Sequence, residues 1–429
     1  MEPKRVLMIV YHFPPFRGSS GLQRPLSFSR YLPDYGWEPI VLTIHPRAYP
    51  EVGDVQFNEI PRNLHVARAF ALDTGRHLAF RGAYPDWLGI PDRWVSWLIG
   101  AIPLGLRLIR QYRPKVLWST YPIATAHLIG ATLCRLTGIP WIADFRDPMV
   151  EYDAVKDEYW PRDPRVRRAR SWIERLVVRY GTHAVFASCG ARRIYTERFP
   201  EVPEDRWTII PNGYDEENFL AAEQHQFLDQ RVHGQLVLLH SGILYPTPDR
   251  DPTAFCAALA ELRDAGHISP ATLKIIFRAT GHDDHYCKLL TEYQLQEMVF
   301  LAPSIPYRDA LSEMLHVDGL LLFQGYLSNP AIPAKLYEYL RAQRPILALV
   351  DADGDTASAL RSLGLSDSQA PLDNKQLIKE HLMNFLHRVR QGTVSIARMS
   401  DVARFSRRAL TRQLGVLLDE ILPGGKMRV

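Results

Sequence analysis

"IIPNGYDEENF", residues 209–219, is the stretch on which the architecture turns. Two isoleucines run into Pro-Asn-Gly, a turn signal, and then into the acids Asp215, Glu216 and Glu217. Upstream, "RVLMIV" (5–10), "PIVLTI" (39–44), "KVLWST" (115–120), "PWIADF" (140–145) and "HAVFAS" (183–188) are short apolar runs that read as buried strands. Amphipathic segments lie between them, such as "GLQRPLSFSRYLPDYG" (21–36). Beyond the turn the pattern restarts with "LVLLHSG" (236–242), "LKIIFRATG" (273–281), "VFLA" (299–302), "GLLLFQ" (319–324) and "PILALV" (345–350). Strand–helix alternation implies parallel sheets with helices on both faces. The expected fold class is α/β, with two Rossmann-like domains, 1–210 and 211–402, facing across a cleft. Their join is the polar, turn-rich stretch near 211–228. "ARFSRRALTRQLGVLLDEIL" (403–422) repeats apolar residues at helical spacing and opens a third segment, 403–429.

Composition narrows the class. A chain of 429 residues suits two or three domains. At 46% hydrophobic and 23% charged it has the profile of a globular protein, and a net charge of +4 is too small to imply nucleic acid. Cys134, Cys189, Cys256 and Cys287 form no C-x-x-C pair, so neither a disulfide framework nor a zinc site is expected. A reducing, cytoplasmic setting fits best. "MEPKRVLMIVYHFPP" is interrupted by His12 and two prolines and offers no small-residue cleavage site, so no signal peptide is expected there. "WVSWLIGAIPLGLRLI" (94–109) is too short to span a bilayer and is expected as a buried helix.

In open parallel sheets ligands bind beyond the carboxyl ends of the strands, so the chemistry is sought in the loops there. Gly18, Ser19, Ser20 and Gly21 form a turn whose amides can face an anion, or a plain flexible loop. It matches neither a Walker A loop nor G-x-G-x-x-G. "DFRDP" (144–148) puts Asp144 and Asp147 at a strand end, where either can orient or deprotonate a hydroxyl. Alternatively Arg146 neutralises both. His127, on an apolar helical pattern, is a weaker acid–base candidate and otherwise a core residue. In the second half, His240, Ser241 and Gly242 permit close backbone approach after a strand, and Arg250 is a cation on the following loop.

"PAIPAKLYEYLRAQRPILALV" (330–350) carries the strongest signal. Pro333 suits a helix start, whose free amides attract phosphate, and Lys335 adds a full charge. Glu338, three residues on, shares its face and can accept from two vicinal hydroxyls, as in a ribose. Phosphate beside ribose describes a nucleotide. The competing reading is a solvated Lys–Glu pair worth roughly 0.2–0.5 kcal/mol.

Taken in order, "YHFPPFRGSSGLQRPLSFSRYLPDYGWEPIVLT", "PWIADFRDP", "IIPNGYDEENF", "HSGILY" and "PAKLYEYLRAQRPILAL" resemble family-4 retaining glycosyltransferases of the GT-B fold. The resemblance implies a C-terminal domain that binds a UDP- or GDP-sugar, an N-terminal domain that receives the acceptor, and a last helix returning to the first domain. It makes Glu338 the ribose ligand, and Lys335 and Arg250 the diphosphate cations, with Gly18, Ser19, Ser20, Gly21, Ser241 and Gly242 nearby. "LAPSIPY" (301–307), including Ile305, would read the base. Asp147, Asp144 and His127 are the acceptor-side catalytic candidates, with Arg146 and Arg24 structural or acceptor-side. No metal or cofactor is implied. Two positions depart from the family. Pro330 stands where the first acid of a Glu-x7-Glu pair often lies, and Ile243 where an Arg usually follows the glycine.

The resemblance implies metal-independent transfer with retention to a glycan or lipid-linked acceptor, as in cell-surface polysaccharide or lipopolysaccharide assembly. A GT-B nucleotide-sugar epimerase and a catalytically degraded nucleotide-sugar-binding subunit are the alternatives. "DADGD" (351–355) and "GHDDH" (281–285) imitate metal motifs but read as turns. "PRDPRVRRARSWIERLVVRYG" (161–181) has seven arginines against two acids, the pattern of a helix lying on anionic lipid or of a solvated helix face.

Overall fold

The computed structural model describes residues 3–16, 20–53, 59–153, 157–225 and 234–422. The chain forms two compact units: Met1–Pro211 with Arg407–Val429, and Asn212–Ser406.

Among the described residues the first unit is built on a seven-stranded sheet: β1 (Lys4–Ile9), β2 (Trp37–Ile44), β3 (His65–Ala69), β4 (Val116–Thr120), β5 (Trp141–Arg146), β8 (His183–Phe186) and β9 (Trp207–Ile209). Its order is β3-β2-β1-β4-β5-β8-β9, and every pairing is parallel. A parallel sheet covered on both faces has no wet side, which is why β4 and β5 are buried at every position. The short strands β3 and β9 do not stand out as apolar runs. A small antiparallel ribbon, β6 (Glu151–Asp153) with β7 (Glu158–Trp160), sits in the connection after β5.

The second unit holds β10 (Leu236–Ser241), β11 (Leu273–Arg278), β12 (Val299–Ala302), β13 (Gly319–Gln324), β14 (Ile346–Val350) and β15 (Gln369–Ala370). Their order, again parallel throughout, is β12-β11-β10-β13-β14-β15. Both sheets are therefore Rossmann-like. Each reverses its winding once, between β1 and β4 and between β10 and β13, and those reversals open crevices at the strands' carboxyl ends.

The stretch 94–109 enters the helix Trp97–Tyr112, which buries Trp97, Ala101, Gly105 and Leu108 and leaves Ile99 exposed. Among the described residues no helix is long and apolar enough to cross a membrane. The last helix, Arg407–Glu420, belongs to the first unit. It inserts Leu410, Leu414, Leu417 and Leu418 into that core, and Arg407 donates to Gln23 Oε1 at 2.7 Å. Asp419 fixes its far end, accepting from Trp37 Nε1 at 3.0 Å and from Lys4 Nζ at 2.8 Å.

Candidate functional site

In the second unit the crevice between β10 and β13 gathers the residues singled out in the sequence. β10 ends in His240 and Ser241, and Gly242 follows at φ 104°, a conformation side chains avoid. The Ser241 amide donates to Tyr339 Oη at 2.9 Å, tying the strand end to the helix Ala334–Ala342. That helix starts one residue after Pro333, its cap position, and buries Leu336, Tyr337, Tyr339 and Leu340. Lys335 therefore comes to rest over the Gly242 turn, where an added Cβ would stand 3.4 Å from Nζ.

Lys335 and Glu338 turn to different groups. Lys335 Nζ lies 3.0 Å from His240 Nε2, and Glu338 Oε1 accepts from Tyr307 Oη at 2.7 Å. Burial, then the charge of Arg250, pushes Lys335 down to about 7, with Glu338 pulling the other way. Arg250 is 3.5 Å from Asp249 and lies over the Tyr245 ring at 5.6 Å. Two cations thus repel each other at the mouth of the sheet crevice.

The loop after β13 is rigidly anchored. Ser328 donates to Asp249 through its amide at 3.0 Å and its hydroxyl at 2.7 Å. Gln324 Nε2 donates to the Ser328 and Ala331 carbonyls, and Thr356 donates to Gln324 Oε1 at 2.6 Å. Gly325 passes so close to Pro248 that a Cβ would meet its carbonyl oxygen at 2.8 Å. Pro330 lies on this loop. Half-buried Ile305 sits between β12 and the helix Tyr307–His316, in a segment whose Pro303 carbonyl accepts from Arg278 at 2.9 Å. Asp351 accepts from Asn329 and from the Asp353 amide, so "DADGD" is a turn that props the same loop. Among the described residues no group of three or more His, Cys, Asp or Glu is placed to hold a metal.

The crevice of the first unit is organised differently. Buried Asp144 accepts from Arg24 through Nε at 2.9 Å and Nη2 at 2.8 Å, and from Thr120 at 2.8 Å. Arg24 also reaches the Pro211 carbonyl at 2.9 Å. Its partner is thus Arg24; Arg146 does not serve both aspartates, because Arg146 adopts φ 63° and leaves the strand register there. Arg146 is buried with its Nε unpartnered, and its Nη1 donates to the Tyr121 carbonyl at 3.5 Å. Asp147 lies beside it. Burial raises the Asp147 carboxyl and Arg146 lowers it. His12, stacked on Phe16 at 4.8 Å, is depressed to about 3 by burial and by Arg146.

His127 is fully enclosed. Trp141 Nε1 donates to Ser119 Oγ at 2.8 Å, and Ser119 Oγ is 2.7 Å from His127 Nδ1. Trp Nε1 can only donate, so Ser119 Oγ accepts there and keeps a second lone pair and its own proton for the His127 ring. The ring's Nε2 is buried without a partner, and burial holds the ring down to about 3. Gly18 and Ser19 lie outside the described residues, as does the Ser20 side chain; Gly21 is buried ahead of the helix Gln23–Tyr31.

Sequence reasoning assigned no role to Tyr339 or Asp249, and included Tyr307 only within the 301–307 segment. "HSG" at a strand end was the signal for His240, whose contact with Lys335 spans 95 positions.

Comparison with known proteins bears on the fold. Residues 23–213 match the family model described as a glycosyl transferase 4-like domain. Sucrose-phosphate synthase from Thermosynechococcus elongatus superposes with a TM-score of 0.65 at 14% identity, over 96% of this chain and 98% of that one. Anabaena HepE in complex with UDP gives a TM-score of 0.65 at 14% identity, over 97% and 100%. WaaG, a glycosyltransferase involved in lipopolysaccharide biosynthesis, gives 0.59 at 13% identity, over 98% and 100%. No curated protein sequence matches. The chain has the GT-B fold, and residues 23–213 are similar to the glycosyl transferase 4-like domain.

Proposed function

We propose that this protein is a retaining, metal-independent glycosyltransferase that moves a sugar from a UDP- or GDP-sugar to a hydroxyl of a glycan or lipid-linked acceptor in cell-surface polysaccharide assembly. The observation that carries the reading is the pair of repelling cations, Lys335 and Arg250, beside the Gly242 turn. When the bond between the anomeric carbon and the diphosphate oxygen breaks, the electron pair stays with the diphosphate. Fixed cations and the first amides of the helix Ala334–Ala342 stabilise that growing charge. Glu338, aligned by Tyr307, accepts from the ribose hydroxyls, and the 301–307 segment with Ile305 faces the base.

On the acceptor side Asp147 is the residue that takes or orients the hydroxyl proton, since Asp144 is consumed by Arg24 and Thr120 and His127 is sealed in the core. Transfer takes place at the cytoplasmic face of the membrane. The basic helix Pro164–Tyr180, with Trp172 exposed, rests on anionic lipid.

A thermal-shift screen with UDP- and GDP-sugars tests the donor site. One nucleotide class stabilises the native protein, and Lys335→Ala and Glu338→Ala both weaken the shift. Equal shifts in all three proteins would overturn the assignment. Turnover of donor without acceptor would instead mark an epimerase, and binding without any transfer a binding subunit.

A further inference from the structure

Arg146 closes β5 in a conformation that takes its side chain off the strand. The register with β8 shifts between Asp144 and Arg146, and Arg146 adopts φ 63°. An irregularity of this kind re-aims a side chain, and it recurs beside functional sites. The backbone around it is pinned. The Arg146 carbonyl accepts from the Ala187 amide at 2.9 Å, and the Asp144 carbonyl accepts from the Tyr121 amide at 3.0 Å. Arg146 is thus held on rigid strand ends, with 9% of its surface exposed.

Its side chain is barely engaged. Among the described residues its one side-chain hydrogen bond runs from Nη1 to the Tyr121 carbonyl at 3.5 Å, long for such a bond. Nε is buried without any protein acceptor. Tyr121 is fixed at its other end as well, where its hydroxyl accepts from Arg170 at 3.0 Å. The charged groups facing Arg146 are Asp147, Arg24 and Asp144. Asp144 is already gripped by Arg24. Asp147 acts on Arg146 through its field, and among the described residues no hydrogen bond or ion pair joins the two. His12, kept neutral by burial and by Arg146, brings no charge.

A guanidinium presents Nε and one Nη as a fork that fits both oxygens of a carboxylate or two of a phosphate. Arg24 shows that fork filled from within the protein, with Asp144 across Nε and Nη2. Arg146, in the same crevice, has no protein acceptor on its Nε. A buried charge without partners costs stability, so its place at the carboxyl end of a central strand, where ligands bind, points to an anion from outside.

We propose that Arg146 selects the acceptor by an oxyanion: the acceptor carries a phosphate ester or a carboxylate near the hydroxyl that Asp147 serves, and the Nε edge of Arg146 grips it. The proposal rests on the acceptor-side reading above. No bond is made or broken at Arg146. A neutral glycan forgoes a charge-assisted bidentate contact in a desolvated site, and that difference is the selectivity.

The test uses the full chain on a Lys335→Ala background, which removes a donor-side cation, with Arg146→Met or Arg146→Lys added. Thermal unfolding without ligand comes first. Met keeps much of the side-chain volume and removes the stranded charge, so Arg146→Met should unfold at the same temperature or higher. A large drop would make Arg146 a structural brace and overturn the proposal. Calorimetry with glucose 6-phosphate, glucuronate and glucose comes second. At least one of the two anions binds and glucose does not. Arg146→Met weakens that binding roughly tenfold or more, the scale of a lost charged hydrogen bond. Arg146→Lys, which keeps the charge but not the fork, restores part of it. Binding of the phosphate ester alone assigns a phosphorylated acceptor, and of the carboxylate alone an acidic sugar. Binding of neither anion, or binding unchanged in Arg146→Met, overturns the proposal. Transfer assays separate the two readings. Anion binding at Arg146 without transfer to any anionic acceptor overturns the transferase reading and leaves the anion site standing. Transfer that Arg146→Met alone leaves unchanged overturns the anion site and leaves the transferase reading standing.

Discussion

The two units end their central strands in opposite electrostatic conditions. At the carboxyl end of β5, Asp144 and Arg24 satisfy each other inside the protein, with Thr120 and the Pro211 carbonyl completing the set. Beyond the end of β10, Lys335 meets a neutral imidazole and a second cation. The first arrangement is finished without a ligand. The second is left in mutual repulsion that an anion would relieve. The same sheet topology thus supplies a brace in one unit and the proposed binding seat in the other, and the pairing of charges separates them.

The largest effect should fall on the brace. Asp144→Asn strands a buried guanidinium and is expected to cost about 3–5 kcal/mol of stability, measured by urea unfolding. Replacing both partners, as Arg24→Met with Asp144→Leu, should recover much of that loss. A double variant as unstable as the single one would show that the pair does more than brace. Lys335→Ala acts on the seat. It should weaken UDP or GDP binding by about 2 kcal/mol in calorimetry, the scale of a charged hydrogen bond. A stability loss like that of Asp144→Asn, with affinity intact, would erase the contrast between the units.

Acid sensitivity sharpens the comparison next. His127 titrates at about 3 in the fold, against its ordinary 6.5. A depressed folded value stabilises fully above pH 6.5, and that contribution is lost as pH falls toward 3. Near pH 5 the loss is about 2 kcal/mol, so His127→Leu should flatten stability between pH 6.5 and 5 in thermal unfolding. Glu338→Gln is expected to cost about 1 kcal/mol in nucleotide affinity, a neutral hydrogen bond's worth, and to cost nothing against a 2′-deoxynucleotide. An equal loss for both sugars would remove Glu338 from the ribose. The smallest change belongs to Trp172→Ser on the exposed helix face, within about 0.5 kcal/mol in stability. Its test is sedimentation with phosphatidylglycerol vesicles, where binding should fall. Unchanged binding would mean that this face is simply solvated.

The ten apolar runs read from the sequence all became central or flanking parallel strands, since a strand buried on both faces must be apolar along its length. β3 and β9 escaped notice because "HVARA" and "WTI" are partly exposed and carry no such run. The ordered motifs also resolved the GT-B class. Lys335 and Glu338 were legible as a pair, because three residues along a helix is a fixed spacing. Their actual partners, His240 and Tyr307, were not, since they come from other elements 95 and 31 positions away. The same holds for Asp144, whose nearest cation in the chain is Arg146 but whose partner is Arg24.

Sequence alone therefore determined the α/β class and the order of the ten apolar central strands, because hydrophobic periodicity and turn residues act locally. Tertiary structure decided which charges are spent and which stay available. Ion pairs form between side chains that the sheet order brings together across long stretches of chain, and no local pattern encodes that distance.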